Sequence, residues 1–236
     1  MTNILAIDTS TDACSVALYR DGDYSEIHEI IPRQHSQRLF SMLRELLPSG
    51  NLREQGIEAI TYACGPGSFT GLRIAASAVQ GLAFANELPA LPVSTLACLA
   101  QTALREAVVA PDNRVLCMLD ARINEVYWAL YDFREGLAVA LEAPRVCAPH
   151  NVLLAPTQKK LVGVGGGFSY LQQLPEPLQC ALTDTSLDLL PRARDLIPLA
   201  LADFERGQWQ QPAEVMPVYV REEISWKKIS EQGKRL

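Results

Sequence analysis

Residues 65–71 (GPGSFTG) form a loop whose composition could hold a phosphate group. The loop lies between a run predicted as a strand and a run predicted as a helix, and the start of a helix offers unpaired N–H groups to an anion. Its GxGxxxG spacing, however, lacks the lysine of a GxxxxGK[ST] loop, and Pro66 has no N–H to donate. A phosphate site is therefore the less favoured interpretation.

A second set of residues could hold a nucleotide and a magnesium ion. Asp8 and Ser10 follow the first apolar run, and Asp120 ends a later one. Their carboxylate and hydroxyl oxygens are ligands that magnesium accepts. Gly165 and Gly166 follow another strand-like run and could approach a nucleoside. Turns rich in Asp and Thr are equally common in hairpins, and the second carboxylate could belong to a local ion-pair cluster, so nucleotide binding is an alternative.

Residues for hydrolytic or metal chemistry are poorly arranged. Ser68 lacks the G-x-S-x-G pattern of a nucleophile elbow, because proline precedes it by two positions and threonine follows it by two. The three histidines, His28, His35 and His150, have no histidine partner four positions away, so no HExxH type of metal face is present. The sequence predicts neither a metal site nor a peptidase.

The elements that would position these residues alternate between strands and helices, which indicates an α/β protein. Both halves of the chain, divided near Pro111, begin with a strand that ends in aspartate. We therefore predict two tandem subdomains, residues 1–109 and 110–236. A helix over residues 192–206 could pack back on the first subdomain, and a last short strand is predicted over residues 216–220.

The helix after the glycine-rich loop carries small residues three or four positions apart. They are Gly67, Gly71, Ala75 and Ala78. Small side chains on one stripe let another backbone approach closely. The approaching backbone could be the chain's own sheet or a second subunit, and the pattern leaves both open. In a subunit contact, the neighbouring anchors would be Phe69, Leu72 and Arg73.

Charge and hydropathy exclude some classes of protein. The formal net charge is −6, whereas a domain that binds nucleic acid by itself usually shows a basic footprint. The basic residues near the C-terminus are too few for an autonomous RNA-binding arm. No apolar run approaches the roughly 20 residues of a membrane span, and the N-terminus has no basic region of a signal peptide. We therefore expect a cytoplasmic protein without a membrane span.

Several segments together resemble the TsaB (YeaZ) family. They are residues 7–11 (IDTST), 35–39 (HSQRL), 65–74 (GPGSFTGLRI), 93–96 (VSTL), 120–122 (DAR) and 217–221 (PVYVR). The resemblance runs nearly from end to end and is weakest over residues 137–191.

This resemblance implies an actin-like fold of the Hsp70 and sugar-kinase type. It also implies a non-catalytic scaffold that pairs with the catalytic subunit TsaD and acts with the ATPase TsaE. Their product would be threonylcarbamoyladenosine (t6A) at adenosine 37 of ANN-decoding tRNAs. The chain would form a homodimer when alone, meet tRNA only within the complex and need no cofactor of its own, although ATP or ADP could bind at the complex interface. The alternative is an ATP-dependent phosphotransferase of the same fold.

The resemblance also locates the TsaD-binding surface on the first two helices, about residues 36–47 and 68–86. The implied contact residues are His35, Leu39, Leu43, Gly67, Phe69, Gly71, Leu72, Arg73, Ala75 and Ala78. The small-residue stripe would then lie at the interface. Under this hypothesis, arginine at position 71 or 75 would abolish pairing and leave the fold mostly intact.

Overall fold

The structure, a computed structural model, describes residues 2–48 and 51–221 of the 236-residue chain. The basic C-terminal residues discussed above lie outside the described residues, apart from Arg221. Across these two ranges, none of the helices is both long and apolar enough to span a bilayer.

The first sheet has five strands in the order β3-β2-β1-β4-β5. They are β1 (Ile4–Asp8), β2 (Ala13–Arg20), β3 (Asp23–Ile30), β4 (Ala59–Gly65) and β5 (Ala90–Ser94). The central strands β1 and β4 are buried along their whole length, as expected for apolar strands covered on both faces. The β2–β3 hairpin turns at Asp21 and Gly22, whose positive φ angles of 55° and 99° suit the predicted Asp-Gly turn.

The second sheet repeats this arrangement in the order β10-β9-β6-β7-β8. Its strands are β6 (Arg114–Arg122), β7 (Glu125–Arg134), β8 (Leu137–Cys147), β9 (Leu161–Val164) and β10 (Leu182–Ser186). In each sheet, three antiparallel strands are followed by two parallel ones. The repetition predicted from the order of elements is therefore present in the topology, and the fold is α/β and actin-like.

Five α-helices of the described residues cover the sheets. They are α1 (His35–Leu46), α2 (Phe69–Asn86), α3 (Thr95–Arg105), α4 (Glu176–Ala181) and α5 (Ala193–Glu205). Helices α1 and α2 pack on one face of the first sheet, and α5 packs on its other face. Helix α3 packs on the second sheet through Leu96 and Leu99, although it precedes residue 109. Because α3 and α5 each pack across the boundary at residue 109, the division into 1–109 and 110–236 stays a prediction.

The two helices between the sheets are joined by a buried ion pair. Asp195 of α5 is almost fully buried and accepts hydrogen bonds from Arg105 Nε at 2.7 Å and from Thr102 Oγ1 at 2.8 Å, both on α3. A second bond from the same guanidinium, at 2.8 Å, makes the arginine contact bidentate. This pair fixes α5 against α3, and therefore fixes the first sheet relative to the second.

One predicted element is different in the structure. Residues 216–220 form no strand. Pro217 has no N–H to contribute to a ladder, while Val218 N donates to the Cys64 carbonyl of β4 at 2.8 Å. The segment therefore crosses the end of β4 without joining the sheet.

Candidate functional site

The glycine-rich loop contacts the chain's own β1–β2 turn. Ser68 N donates to Ser10 O at 2.7 Å, and Thr9 Oγ1 donates to Gly71 O at 2.7 Å. A Cβ atom at Gly67 would collide with Ser10 O, and one at Gly71 would collide with Thr9 O. These glycines therefore allow one backbone to approach another, which is an established use of glycine. Gly67 also lines the cleft described below, and the less favoured phosphate interpretation stays a prediction.

The small-residue stripe on α2 faces the interior, which contradicts its expected place in a subunit interface. Ala75 is 0% exposed, and Gly71, Leu72 and Ala78 are also buried. Ala75 and Ala78 belong to the core between α2 and the first sheet. The open alternative of intramolecular packing is the one that the structure shows, because the small side chains let α2 lie close to β1 and β4. Arginine at position 71 or 75 would therefore disrupt the fold.

Three expected contact residues on α1 are also buried. Leu39 and Leu43 pack in the same core as the α2 stripe. His35 lies at the start of the helix, with its Nε2 atom 3.2 Å from Ala13 O. These side chains position α1 on the sheet, and Leu43 also lines the hollow described below. Of the ten expected contact residues, Phe69 and Arg73 are exposed and Gly67 is half-buried.

Part of the exposed surface of the two helices, which shares Arg73 with the expected contact residues, is here called the α1–α2 face. It consists of Phe40, Arg44, Arg73, Gln80 and Phe84. Phe84 is 77% exposed and Phe40 is 50% exposed. Beside them lies a hollow of about 250 Å³ lined mainly by leucines, at positions 5, 43, 47, 52 and 82. The spacing of positions 69, 73, 80 and 84 along one side of α2 is the signal that sequence reasoning missed.

A cleft of about 1110 Å³ lies between the two sheets and their helices. Ser10 lines it from the first lobe, and Asp120 and Gly166 line it from the second. The structure thus brings together three of the five residues considered for nucleotide binding. The Oγ atom of Ser10 is buried and has no hydrogen-bond partner among the described residues.

Both arginines of the cleft lining are paired with carboxylates. Arg122 contacts the Asp120 carboxylate at 3.1 Å, and Arg221 forms an ion pair with Glu125. The local ion-pair cluster considered from the sequence is therefore present, with Arg221 as a partner from the far end of the chain. Both arginines are engaged by carboxylates, which leaves them less available to a phosphate.

The remaining two nucleotide candidates do not line the cleft. Asp8 is 1% exposed, its Oδ1 accepts a hydrogen bond from Ser10 N at 2.7 Å, and its Oδ2 has no partner among the described residues. Desolvation raises the pKa of this carboxyl to about 6, although the hydrogen bond from Ser10 N lowers it. Gly165 has a φ of 100°, and a Cβ there would collide with Met118 O of β6. Both residues are enclosed by protein rather than exposed in the cleft, and their expected contact with a nucleotide stays a prediction.

The residues considered for hydrolysis have structural roles. Ser68 precedes α2, and its Oγ accepts a hydrogen bond from Gly71 N at 3.3 Å, as a helix cap does. His28 lies on β3, His35 on α1 and His150 in a short 3-10 turn, Pro149–Asn151. Within the described residues, no three side chains of the His, Cys, Asp and Glu types converge to hold a metal ion.

Comparison with known proteins gives consistent relatives along the chain. Residues 27–187 match the family described as "TsaD: tRNA N6-adenosine threonylcarbamoyltransferase". The tRNA threonylcarbamoyladenosine biosynthesis protein TsaB of Escherichia coli K12 is 40% identical, over 96% of this chain and 97% of that protein. The protein of the same description from Haemophilus influenzae is 34% identical over 96% of both chains.

Solved structures agree with these sequence relatives. YeaZ from Pseudomonas aeruginosa is 40% identical with a TM-score of 0.85, covering 93% of this chain and all of the other. A second structure, described as an uncharacterized protein with similarity to peptidase YEAZ from Pseudomonas aeruginosa, has a TM-score of 0.86 and 40% identity over 94% of this chain and all of the other. With the duplicated sheets and the motifs that carry the resemblance, this chain belongs to the TsaB (YeaZ) family of tRNA threonylcarbamoyladenosine biosynthesis proteins.

Proposed function

We propose that this protein is a non-catalytic subunit that pairs with TsaD and, together with TsaE, supports threonylcarbamoylation of adenosine 37 in ANN-decoding tRNAs. Membership of the TsaB family supports a role in t6A biosynthesis. The protein would act in the cytoplasm, reach tRNA only within the complex and pair with a second copy of itself when TsaD is absent.

The α1–α2 face is the observation that carries this proposal. Phe84 and Phe40 expose large aromatic rings on neighbouring helices, and the leucine-lined hollow lies beside Phe40. Exposed apolar side chains grouped around a hollow are typical of a protein interaction site. Arg44 and Arg73 add the cationic rim that accompanies aromatic anchors at many interfaces.

The structural contacts of Ser68 and His35 support the non-catalytic part of the proposal. The Ser68 hydroxyl is engaged at the start of α2, and His35 contacts a backbone carbonyl, so both side chains serve the fold. Catalysis would then reside in TsaD. Incubation of the pure protein with unfolded polypeptides is expected to give no cleavage, and cleavage lost in Ser68→Ala would contradict this part.

The interface is tested by Phe84→Glu. We expect the variant to fold normally, because an exposed substitution changes stability by no more than about 0.5 kcal/mol. Pairing with TsaD should weaken by about 2 kcal/mol or more, or about 30-fold in Kd, since an aromatic anchor that the complex would bury is replaced by a charge. Light-scattering chromatography of the protein alone and with TsaD from the same organism measures the pairing, and t6A formation reconstituted with TsaE measures the consequence.

Leu153→Glu is the matched control. Leu153 is about as exposed as Phe84 but lies in the second lobe, between β8 and β9. This variant should form the same complexes and support the same t6A formation as the parent protein. If Phe84→Glu still forms a one-to-one complex with TsaD at unchanged affinity, the α1–α2 face is not the interface.

A nucleotide in the interlobe cleft is the second candidate function. It is favoured by the volume of the cleft and by the unpartnered hydroxyl of Ser10 beside Asp120 and Gly166. Titration calorimetry with ATP and Mg²⁺ tests it on the lone chain and on the complex with TsaD. Binding by the lone chain that is lost in Asp120→Asn would favour a nucleotide-binding protein, while binding by the complex alone would place the nucleotide at the shared interface.

A further inference from the structure

The chain returns across the first lobe after α5. The backbone of Gln210 forms an antiparallel bridge with Ala90, at 2.8 and 2.9 Å, along the outer edge of β5. The Tyr62 hydroxyl of β4 then contacts both the Gln210 side chain, at 2.9 Å, and Met216 O, at 3.2 Å. Val215, between these points, is buried in the core under α2. The path is thus fixed to the first lobe as far as residue 216.

The next residues lie directly over the end of β4. Val218 N donates to Cys64 O at 2.8 Å. A Cβ atom at Gly65 would come within 2.6 Å of Val218 O, and Gly65 has a φ of 129°. Only glycine accommodates both the backbone angle and this approach without strain. Gly65 therefore serves contact between β4 and the returning chain.

Tyr219 attaches the returning chain to the first turn of α2. Its ring centroid lies 5.6 Å from that of Phe69, and its hydroxyl accepts a hydrogen bond from Arg73 Nε at 2.9 Å. The Arg73 guanidinium also lies 3.7 Å from the Phe69 ring centroid, in cation–π contact. All three side chains are partly open to solvent, so these contacts are weaker than buried ones.

Arg221 reaches the second lobe. Its guanidinium is paired with the Glu125 carboxylate of β7 and lies 3.3 Å from Ala121 O of β6. Between those two positions, residues 122–124 form a turn in which all three φ angles are positive, at 65°, 54° and 55°. Such conformations are costly for residues other than glycine and persist where surrounding contacts hold them. Arg221 supplies contacts on both sides of this turn.

We propose that residues 216–221 form a detachable strap that bridges the two lobes and controls access to the cleft between them. Tyr219 and Arg221 line the cleft, so the strap forms part of its wall. Met216 is 63% exposed and Val218 is 51% exposed, so little apolar surface is buried by holding the strap in place. A segment with few buried contacts opens at a lower free energy than the core, and the strap can therefore leave while both lobes stay folded. This inference does not depend on the proposed partner.

The alkylation rates of native cysteines measure whether the strap detaches. Cys64, whose carbonyl accepts the hydrogen bond from Val218 N, lies on the same face of β4 as Tyr62 and is 8% exposed. Burial raises the pKa of its thiol to about 12, so it reacts slowly while covered. Cys117 is fully buried in the core of the second lobe and reports global unfolding, whereas the exposed Cys180 reports the activity of the reagent.

The experiment is alkylation of the native full-length protein by N-ethylmaleimide, with the rate at each cysteine followed by mass spectrometry. We expect Tyr219→Ala and Arg221→Ala each to raise the rate at Cys64 by about tenfold, the effect of losing roughly one hydrogen bond to a charged group. The rate at Cys117 should not change. Tyr24→Ala is the control, because Tyr24 also stacks on a tyrosine and an arginine but lies on β3.

Each result of the alkylation experiment either supports or overturns the strap. A rise at Cys64 in both strap variants, with Cys117 unchanged and no rise in the control, supports the strap. An unchanged rate at Cys64 in either variant overturns the proposal. Rates that rise together at Cys64 and Cys117 also overturn it, because the segment would then open only when the whole protein unfolds.

Discussion

Asp8 lies at the end of the first strand with its carboxyl enclosed by protein, and replacing it with asparagine tests that geometry directly. Asparagine has nearly the same shape and keeps an oxygen for the 2.7 Å bond from Ser10 N. It removes the charge and puts an amide NH2 group in place of Oδ2, the oxygen that has no partner among the described residues. Any difference between the parent protein and Asp8→Asn that depends on pH therefore reports the cost of ionising this carboxyl in the folded state.

The sign follows from the pKa. Burial raises the pKa of Asp8 from 3.8 to about 6, so between these values the folded chain holds a proton that the unfolded chain has lost. The contribution of this carboxyl to the free energy of unfolding is therefore fully present below pH 3.8 and is lost as the pH rises through about 6. The difference corresponds to about 3 kcal/mol. Asparagine does not ionise, so Asp8→Asn should lose none of this free energy of unfolding as the pH rises. The variant should therefore become more stable than the parent protein by about 3 kcal/mol between roughly pH 4 and pH 7.

The assay is urea unfolding of both proteins across this pH range, followed by circular dichroism. Ionisations elsewhere cancel in the difference between the two free energies of unfolding, because the proteins share every other group. Asp12→Asn, at an exposed position four residues further on, controls for the removal of one acidic side chain. Thermal unfolding should show the same trend, with a shift of roughly 6–12 °C at neutral pH.

Two results would refute this reasoning. A difference in the free energy of unfolding that does not vary with pH would mean that the Asp8 carboxyl is hydrated or otherwise compensated. A variant that becomes less stable than the parent protein as the pH rises would mean that the ionised carboxylate is stabilised, for example by a bound cation. That second result would restore Asp8 as a candidate ligand in the nucleotide hypothesis.

Two further predictions concern packing. Ala75→Arg should prevent stable folding, since it forces a charge into the core. Gln80→Arg, on the exposed side of α2, should fold as the parent protein does. Circular dichroism and solubility measure the folding of both variants. A folded Ala75→Arg protein would contradict the orientation of α2. Asp195→Ala should lower the free energy of unfolding by about 2–3 kcal/mol, because it leaves the Arg105 and Thr102 donors without their carboxylate; an unchanged urea midpoint would show that this pair does not join the lobes.

Local patterns were sufficient for several elements. The run at residues 4–8 predicted a buried strand ending in Asp8, the Asp-Gly pair predicted the first hairpin, and both are present. The repeated order of strands predicted two similar halves, which the two sheets confirm. Each of these features depends on residues close together in the chain, where periodicity and turn chemistry act directly.

The orientation of α2 could not be obtained in this way. A stripe of glycine and alanine is compatible with packing on a sheet or on another subunit, since both require a close approach of backbones. The structure places Ala75 inside, where its small side chain packs in the core between α2 and the first sheet. Phe84 is then left outside, and the surface offered to a partner is the other side of the same helix.

The sequence by itself determined the family, the α/β class and the positions of the main strands, because these follow from local patterns and shared motifs. Tertiary structure alone decided that Asp8 is buried, that Ser10 and Asp120 share a cleft, and that Arg221 reaches Glu125 across 96 positions of the chain. Desolvation and ion pairing depend on every atom that surrounds a group in space. No local sequence pattern contains that information, because it arises only when the two lobes pack together.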